Sequence, residues 1–193
     1  VVTRYTNGTD FWLTFPYNGP SSSSYSTKIV IAITSLESTE GDITYEGKDP
    51  NGQSRAFSYH FIVNPDIPTY IDISEYEVEI QLSDEVEFDK GIHITSERDI
   101  SVTCYSKNGS SSDAFLCYPT SVGKVKAEDL TYMVGSYNSV PDYQPAFIAV
   151  VATTDNTNVI ITPSVELDGH PANAAYTVTL NQGDTYLVKA KYL

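Results

Sequence analysis

The sequence predicts an all-β fold, a predominantly antiparallel β-sandwich built from two related units. Three observations carry this reading. Tyrosine is abundant, at 15 of 193 residues, while methionine occurs once. Short runs rich in β-branched residues recur along the chain, and turn-rich pieces separate them at a spacing that suits a sandwich. A hydrophobic content of 40% is enough to bury a core at this length.

Taken in order, strands are expected at residues 10–15 (DFWLTF), 28–34 (KIVIAIT), 42–46 (DITYE), 56–63 (AFSYHFIV), 69–73 (TYIDI) and 77–82 (EYEVEIQL from residue 75). They continue at 91–95 (GIHIT), 100–106 (ISVTCYS), 114–118 (AFLCY), 147–152 (FIAVVA), 159–162 (VIIT), 176–180 (YTVTL) and 185–190 (TYLVKA). The pieces NGPSSSS, GKDPNGQ, VNPDIP, KNGSSSD, NSVPDYQP, ELDGHPAN and NQGD carry the glycine, proline, asparagine and serine that turns require. Residues 124–134 are the one candidate for a helical turn.

Several segments resemble one another. IAITSLESTEGDIT from Ile31 matches VVATTDNTNVIIT from Val150 with one residue skipped at Leu36. AFSYHF from Ala56 matches AYTVTL from Ala175, and NPDIPTYI from Asn64 matches NQGDTYL from Asn181, with Tyr70 and Tyr186 in equivalent places. The expected organisation is a first unit over residues 1–140 and a second over 141–193. The second lacks counterparts of GIHITSERDISV and of the hairpin after it, so it is expected to be incomplete and to leave an open sheet edge for self-association.

A net charge of −14 argues against a nucleic-acid partner, because affinity for phosphate backbones comes from clustered Lys and Arg and no such cluster occurs. No apolar stretch approaches the roughly 20 residues that span a bilayer as a helix, so membrane insertion is not expected. The start, VVTRYTNGTDFW, does not read as a signal peptide, which fits an intracellular chain or one whose signal has been removed. Asn7-Gly8-Thr9 and Asn108-Gly109-Ser110 make Asn7 and Asn108 candidate glycosylation acceptors.

The chemistry-bearing residues concentrate between 90 and 121. In ISVTCYS the side chains of Ile100, Val102 and Cys104 share one face and point to the core, while Ser101, Thr103 and Tyr105 share the other. A hairpin closing around residues 110 and 111 would set Cys117 directly opposite Cys104, within reach of a disulfide. The expected reading is a disulfide between Cys104 and Cys117, and the alternative is a pair of reduced core cysteines. A catalytic cysteine would need an imidazole beside it, and His93, the local candidate, falls on the opposite face.

His60, His93 and His170 show no metal-ligand spacing, so zinc is not expected. Asp155-Asn156-Thr157-Asn158 and Ser111-Ser112-Asp113 offer oxygen ligands in turns, which leaves calcium as a secondary option beside ordinary Asx-turn capping. No GxSxG, Walker loop or dinucleotide fingerprint occurs, and no catalytic residues or other cofactor are expected.

GTDFWLTFP from Gly8, KGIHITSERDISV from Lys90, SSDAFLCYPT, AVVATTDNTNVIITP from Ala149 and TLNQGDTYLV from Thr179 together resemble hallmarks of the IgGFc-binding protein N-terminal domain family. The resemblance implies a secreted or cell-surface chain that acts in adhesion or recognition, with no catalytic residues. Cys104 and Cys117 stand where family patterns commonly show small or apolar residues.

The expected function is therefore an extracellular recognition module that binds a protein, immunoglobulin Fc among the candidates, or a glycan. Tyr17, Tyr25, Tyr137 and Tyr143 are the expected contact residues, since tyrosine offers a large amphipathic surface at low entropic cost. The alternatives are a structural spacer in a larger surface or mucus-like protein and, more remotely, a carboxylate glycoside hydrolase.

Overall fold

The computed structural model describes residues 6–18, 27–49, 51–81, 83, 85–109, 111–122, 132, 134–135 and 145–191. Among them the chain is strand and turn, apart from one short 3-10 turn at Ser74–Tyr76. The all-β expectation holds, and pairing is antiparallel throughout except between β2 (Phe15–Pro16) and β7 (Glu79–Ile80). Of the expected helical segment only Tyr132 and Val134 are described, both exposed and in no regular element.

The organising element is β9 (Ile92–Asn108), a strand of 17 residues where the sequence suggests two. Ile92, Ile94, Ile100, Val102 and Cys104 are buried, so the even-numbered positions face the core on both sides of the exposed Arg98. The polar piece Glu97, Arg98 and Asp99 is exposed because β9 there crosses from one sheet region to the next. A stretch that looks like a turn is thus uninterrupted strand lying where there is no core to cover.

The first half of β9 pairs on one side with β4 (Thr39–Tyr45), from Gly41↔Ser96 to Thr44↔His93, and on the other with β1 (Gly8–Leu13). Its second half pairs with β3 (Lys28–Thr34), from Lys28↔Lys107 to Thr34↔Ser101, and with β10 (Ser111–Cys117). β5 (Phe57–Val63) extends the sheet beyond β4, and β6 (Thr69–Asp72) extends it beyond β3. The strand order β5-β4-β9-β3-β6, with β1 and β10 branching from β9, encloses the main core. Phe11, Phe15, Ile31, Ile33, Ile43, Ile92 and Ile94 are all fully buried there. Each such side chain stabilises by about 1.5–3 kcal/mol relative to exposure.

The C-terminal strands are β11 (Phe147–Val151), β12 (Thr157–Ile161), β13 (Tyr176–Leu180) and β14 (Thr185–Lys189). β11 pairs with β14, and β12 with β13. They gather around a second cluster that includes Leu180, Tyr186 and Val188. This cluster is not self-contained, because β8 (Val86–Glu87), a strand the sequence did not suggest, pairs with β14 and adds Val86 to it. The turn before β14 also docks on the first sheet. Gly183, at φ 86°, sits where a Cβ would stand 3.5 Å from the Trp12 ring, and its carbonyl accepts the Gly91 N–H at 2.7 Å.

The likeness between segments appears as shared pairing: β3 with β6 and β4 with β5, then β11 with β14 and β12 with β13. One equivalence needs correction. Ile31 pairs with Ile71 whereas Val150, its match, pairs with Tyr186, so Tyr186 corresponds to Ile71 and not to Tyr70. Burial agrees, since Tyr70 is 66% exposed and Tyr186 only 4%. The expected boundary at residues 140 and 141 falls outside the described residues.

Candidate recognition surface

The outer face of β6, β3, β9 and β10 carries an aligned set of exposed apolar side chains that register connects. Directly opposed residues in an antiparallel sheet share a face. One row across the four strands reads Tyr70, Ala32, Thr103 and Leu116, and the next reads Asp72, Val30, Tyr105 and Ala114. Tyr70, Tyr105 and Leu116 are exposed, and Tyr118 is exposed just past the end of β10. Lys28 and Asp72 form an ion pair of 3.5 Å at the edge of this face. Tyr70 and Leu116 stand at the two ends of a row whose Ala32 is buried, and Tyr105 stands in the next row. Single exposed apolar residues are ordinary, but an aligned set on one sheet face is a candidate interaction surface.

These positions differ from the tyrosines chosen from the sequence. Tyr17 is half-buried after β2, and Tyr25, Tyr137 and Tyr143 lie outside the described residues. The missed residues did carry a signal. Tyr105 alternates with the inward Cys104, and Leu116 with the inward Cys117, so each was bound to face outward. Nothing local shows that Tyr70 stands in the same row as Leu116, because that depends on β3 and β9 lying between them.

The cysteine hairpin closes one position earlier than expected. Ser111 pairs with Asn108, which sets Cys104 opposite Phe115 and Cys117 opposite Val102. The two cysteines therefore share the inner face as diagonal neighbours. Cα atoms in that relation are roughly 7–8 Å apart, at or past the limit for an unstrained disulfide. Both are buried free thiols, and the facing arrangement expected from the sequence is corrected. Burial pushes the Cys117 thiol up to about 12 and raises that of Cys104 well above its ordinary value, with the neighbouring Cys117 adding to the rise. Thiols held protonated in this way are poor nucleophiles.

Two of the three histidines are likewise held in sheet contacts. His93 faces away from Cys104 as expected, stacks on Trp12 at 4.4 Å between ring centroids, and meets Asp10 Oδ1 through Nε2 at 3.1 Å. His60 Nδ1 lies 3.0 Å from Asp42 Oδ1, and this contact raises the imidazole pKa. Neither histidine bonds a hydroxyl or thiol among the described residues.

Beside the core, Lys90 is buried and donates to the Glu77 carbonyl oxygen at 3.4 Å. Burial lowers its pKa, partly offset by Glu87, Asp49, Glu77 and Glu79. Burial also raises Glu79 and Glu87. Those two carboxylates accept the backbone N–H groups of Asn18 and Gln81, so each has a structural task. Asp49 is held low, chiefly by the Gln53 N–H bonding its Oδ1 at 2.9 Å, and it also pairs with Arg55.

The segments considered for calcium are engaged in the fold, the first by the turn between β13 and β14 and the second by the sheet. Asp155 Oδ1 accepts the Gln182 N–H at 3.0 Å, and Ser111 to Asp113 lie within β10. No group of three or more His, Cys, Asp and Glu among the described residues is arranged to hold a metal. Of the two candidate glycosylation sites, Asn7 is half-exposed and lines a cavity of about 370 Å³ with Glu37 and Arg98. Asn108 does not suit a glycan. It is 6% exposed at the end of β9, and its Nδ2, the atom of attachment, donates to the Asn18 carbonyl oxygen at 3.3 Å.

No helix among the described residues is long and apolar enough to cross a membrane. No curated protein and no solved structure matches the chain. The family comparison is positive over the C-terminal strands and β10, although the hallmarks at Gly8 and Lys90 fall before the matched stretch. Residues 113–192 match the family model described as IgGFc binding protein, which bears out the resemblance read from the sequence and suggests an extracellular binding-type module.

Proposed function

We propose that this chain is a non-catalytic extracellular recognition module that binds a protein ligand through the outer face of β6, β3, β9 and β10. The observation that carries the proposal is the row structure of that face, with Tyr70, Tyr105 and Leu116 exposed on a sheet whose opposite side is the main core. A rigid sheet presents aromatic groups with little ordering cost on binding, and tyrosine adds a hydroxyl at the rim of each apolar contact. The match to the IgGFc binding protein family supports a binding role and makes immunoglobulin Fc the first ligand to try. A shared fold does not carry a shared ligand, so the face and the ligand are tested together.

The experiment compares wild type with a Tyr70→Ser, Tyr105→Ser, Leu116→Ser triple variant. Both are used to capture ligands from the native extracellular fluid and are titrated against purified Fc. The variant is expected to retain its Tm to within a few degrees and to lose at least about tenfold in affinity, since central aromatic contacts cost about 2 kcal/mol or more when truncated. Capture and affinity equal to wild type would remove this face from consideration.

A further inference from the structure

Past Cys104 the inward face of β9 turns from apolar to polar. Ser106 and Asn108 hold the next two inward positions, and both are buried. Buried polar groups require hydrogen-bond partners, and these two residues find theirs in Asn18, just beyond the end of β2. Asn18 Nδ2 donates to the Ser106 carbonyl oxygen at 3.2 Å and to the Ser106 Oγ at 3.0 Å. The Asn18 carbonyl oxygen accepts from Asn108 Nδ2 at 3.3 Å. From the other strand of the hairpin, Ser111 Oγ donates to Asn18 Oδ1 at 2.7 Å. One residue is thus bonded to both β9 and β10.

Asn18 is itself anchored. Its N–H donates to Glu79 Oε1 at 3.0 Å, and Glu79 lies on β7, which pairs with β2. On β2, Phe15 meets Phe115 of β10 with 5.7 Å between ring centroids. The segment from Phe15 to Asn18 therefore backs the hairpin along its inner face, with an aromatic contact near the core and a polar tie near the tip. The neighbours of these inward anchors point the other way. Tyr105 precedes Ser106 and Leu116 follows Phe115, and both are exposed on the outer face.

We propose that Asn18 is a positioning residue for the β9–β10 hairpin: bonded to both strands from behind, it fixes where Tyr105 and Leu116 stand on the outer face and so sets how tightly that face binds. The inference deepens the recognition role assigned to this face and rests on it. Without the Asn18 side chain, Ser106 and Ser111 lose the partner that joins them, and the hairpin opens locally more often. A hairpin that opens in the free chain must be ordered again on binding, and that ordering cost appears as lost affinity.

The test compares wild type with Asn18→Ala, which removes the side-chain bonds and leaves the two backbone bonds of Asn18 in place. Ser111→Ala, at an exposed position, removes the 2.7 Å bond alone and serves as the milder second variant. Amide hydrogen exchange is measured on each free chain. The binding probe is a single-domain antibody selected on wild type and screened for loss of binding to the Tyr70→Ser, Tyr105→Ser, Leu116→Ser variant. This probe does not involve the natural ligand, so failure of the positioning role is distinguishable from failure of the recognition role.

In Asn18→Ala, amides within residues 105–109 and 111–116 are expected to exchange at least about tenfold faster, while those of β4 and β5 keep their rates. The probe is expected to bind Asn18→Ala at least about threefold more weakly, with a smaller loss for Ser111→Ala. Unchanged exchange in the hairpin, exchange raised equally in β4 and β5, or full probe affinity despite a loosened hairpin would each overturn the proposal.

Discussion

Cys104 and Cys117 show how one step of register decides chemistry. Their position on the inner face was readable from alternation alone, because Ile100, Val102 and Cys104 share a parity and Cys117 is flanked by the outward Leu116. Their partners were not readable, because a hairpin of serines and one glycine fixes its closing residues only through the ladder that follows. With Cys117 across from Val102, the pair remains two buried thiols. Native protein should therefore resist alkylation at neutral pH, where raised thiol pKa values leave little thiolate. Denatured but unreduced protein should take up two alkyl groups, read by intact mass. A mass two hydrogens lower, with no alkylation, would show that the hairpin shifts to bring the cysteines face to face.

At the scale of elements, β9 and β4 depend on a close approach that one glycine permits. A Cβ built on Gly41 would stand 2.0 Å from the Thr95 carbonyl oxygen and 2.9 Å from the Ser96 Cα, both backbone atoms that cannot yield without moving the strand. Gly41→Ala is expected to cost about 1–3 kcal/mol, the usual range for overpacking, and to lower the Tm by several degrees. Gly135→Ala, where a Cβ meets open space, should leave the Tm unchanged and serves as the control. Equal melting of the two variants would mean that β4 and β9 do not pair as described. The strand at 28–34 and that at 176–180 were legible to the residue, since each is a compact run bounded by turn residues. The union of 91–95 with 100–106 was not, because Ser96 to Asp99 are polar for want of a core beneath them, and polarity at the crossing imitates a turn.

Across the whole molecule, the all-β class followed from composition and run length, and the shared pairing of the two halves followed from segment likeness. What stayed hidden was everything set by strands distant in sequence. Val86 and Glu87 pair with the C-terminal sheet, the Gly183 carbonyl accepts the Gly91 N–H, and Tyr70 reaches the row of Leu116 only through β3 and β9. The proposed ligand face is a product of that long-range order, while of the tyrosines read from the sequence Tyr25, Tyr137 and Tyr143 lie outside the described residues. Hydroxyl-radical footprinting of the free chain and of its complex with the captured ligand, or with Fc where Fc binds, tests the central claim most directly. The account predicts that oxidation at Tyr70, Tyr105, Leu116 and Tyr118 falls together on binding, while Tyr59 and Phe88, exposed elsewhere, keep their reactivity. Protection of Tyr59 or Phe88 with the first four residues unchanged would contradict it.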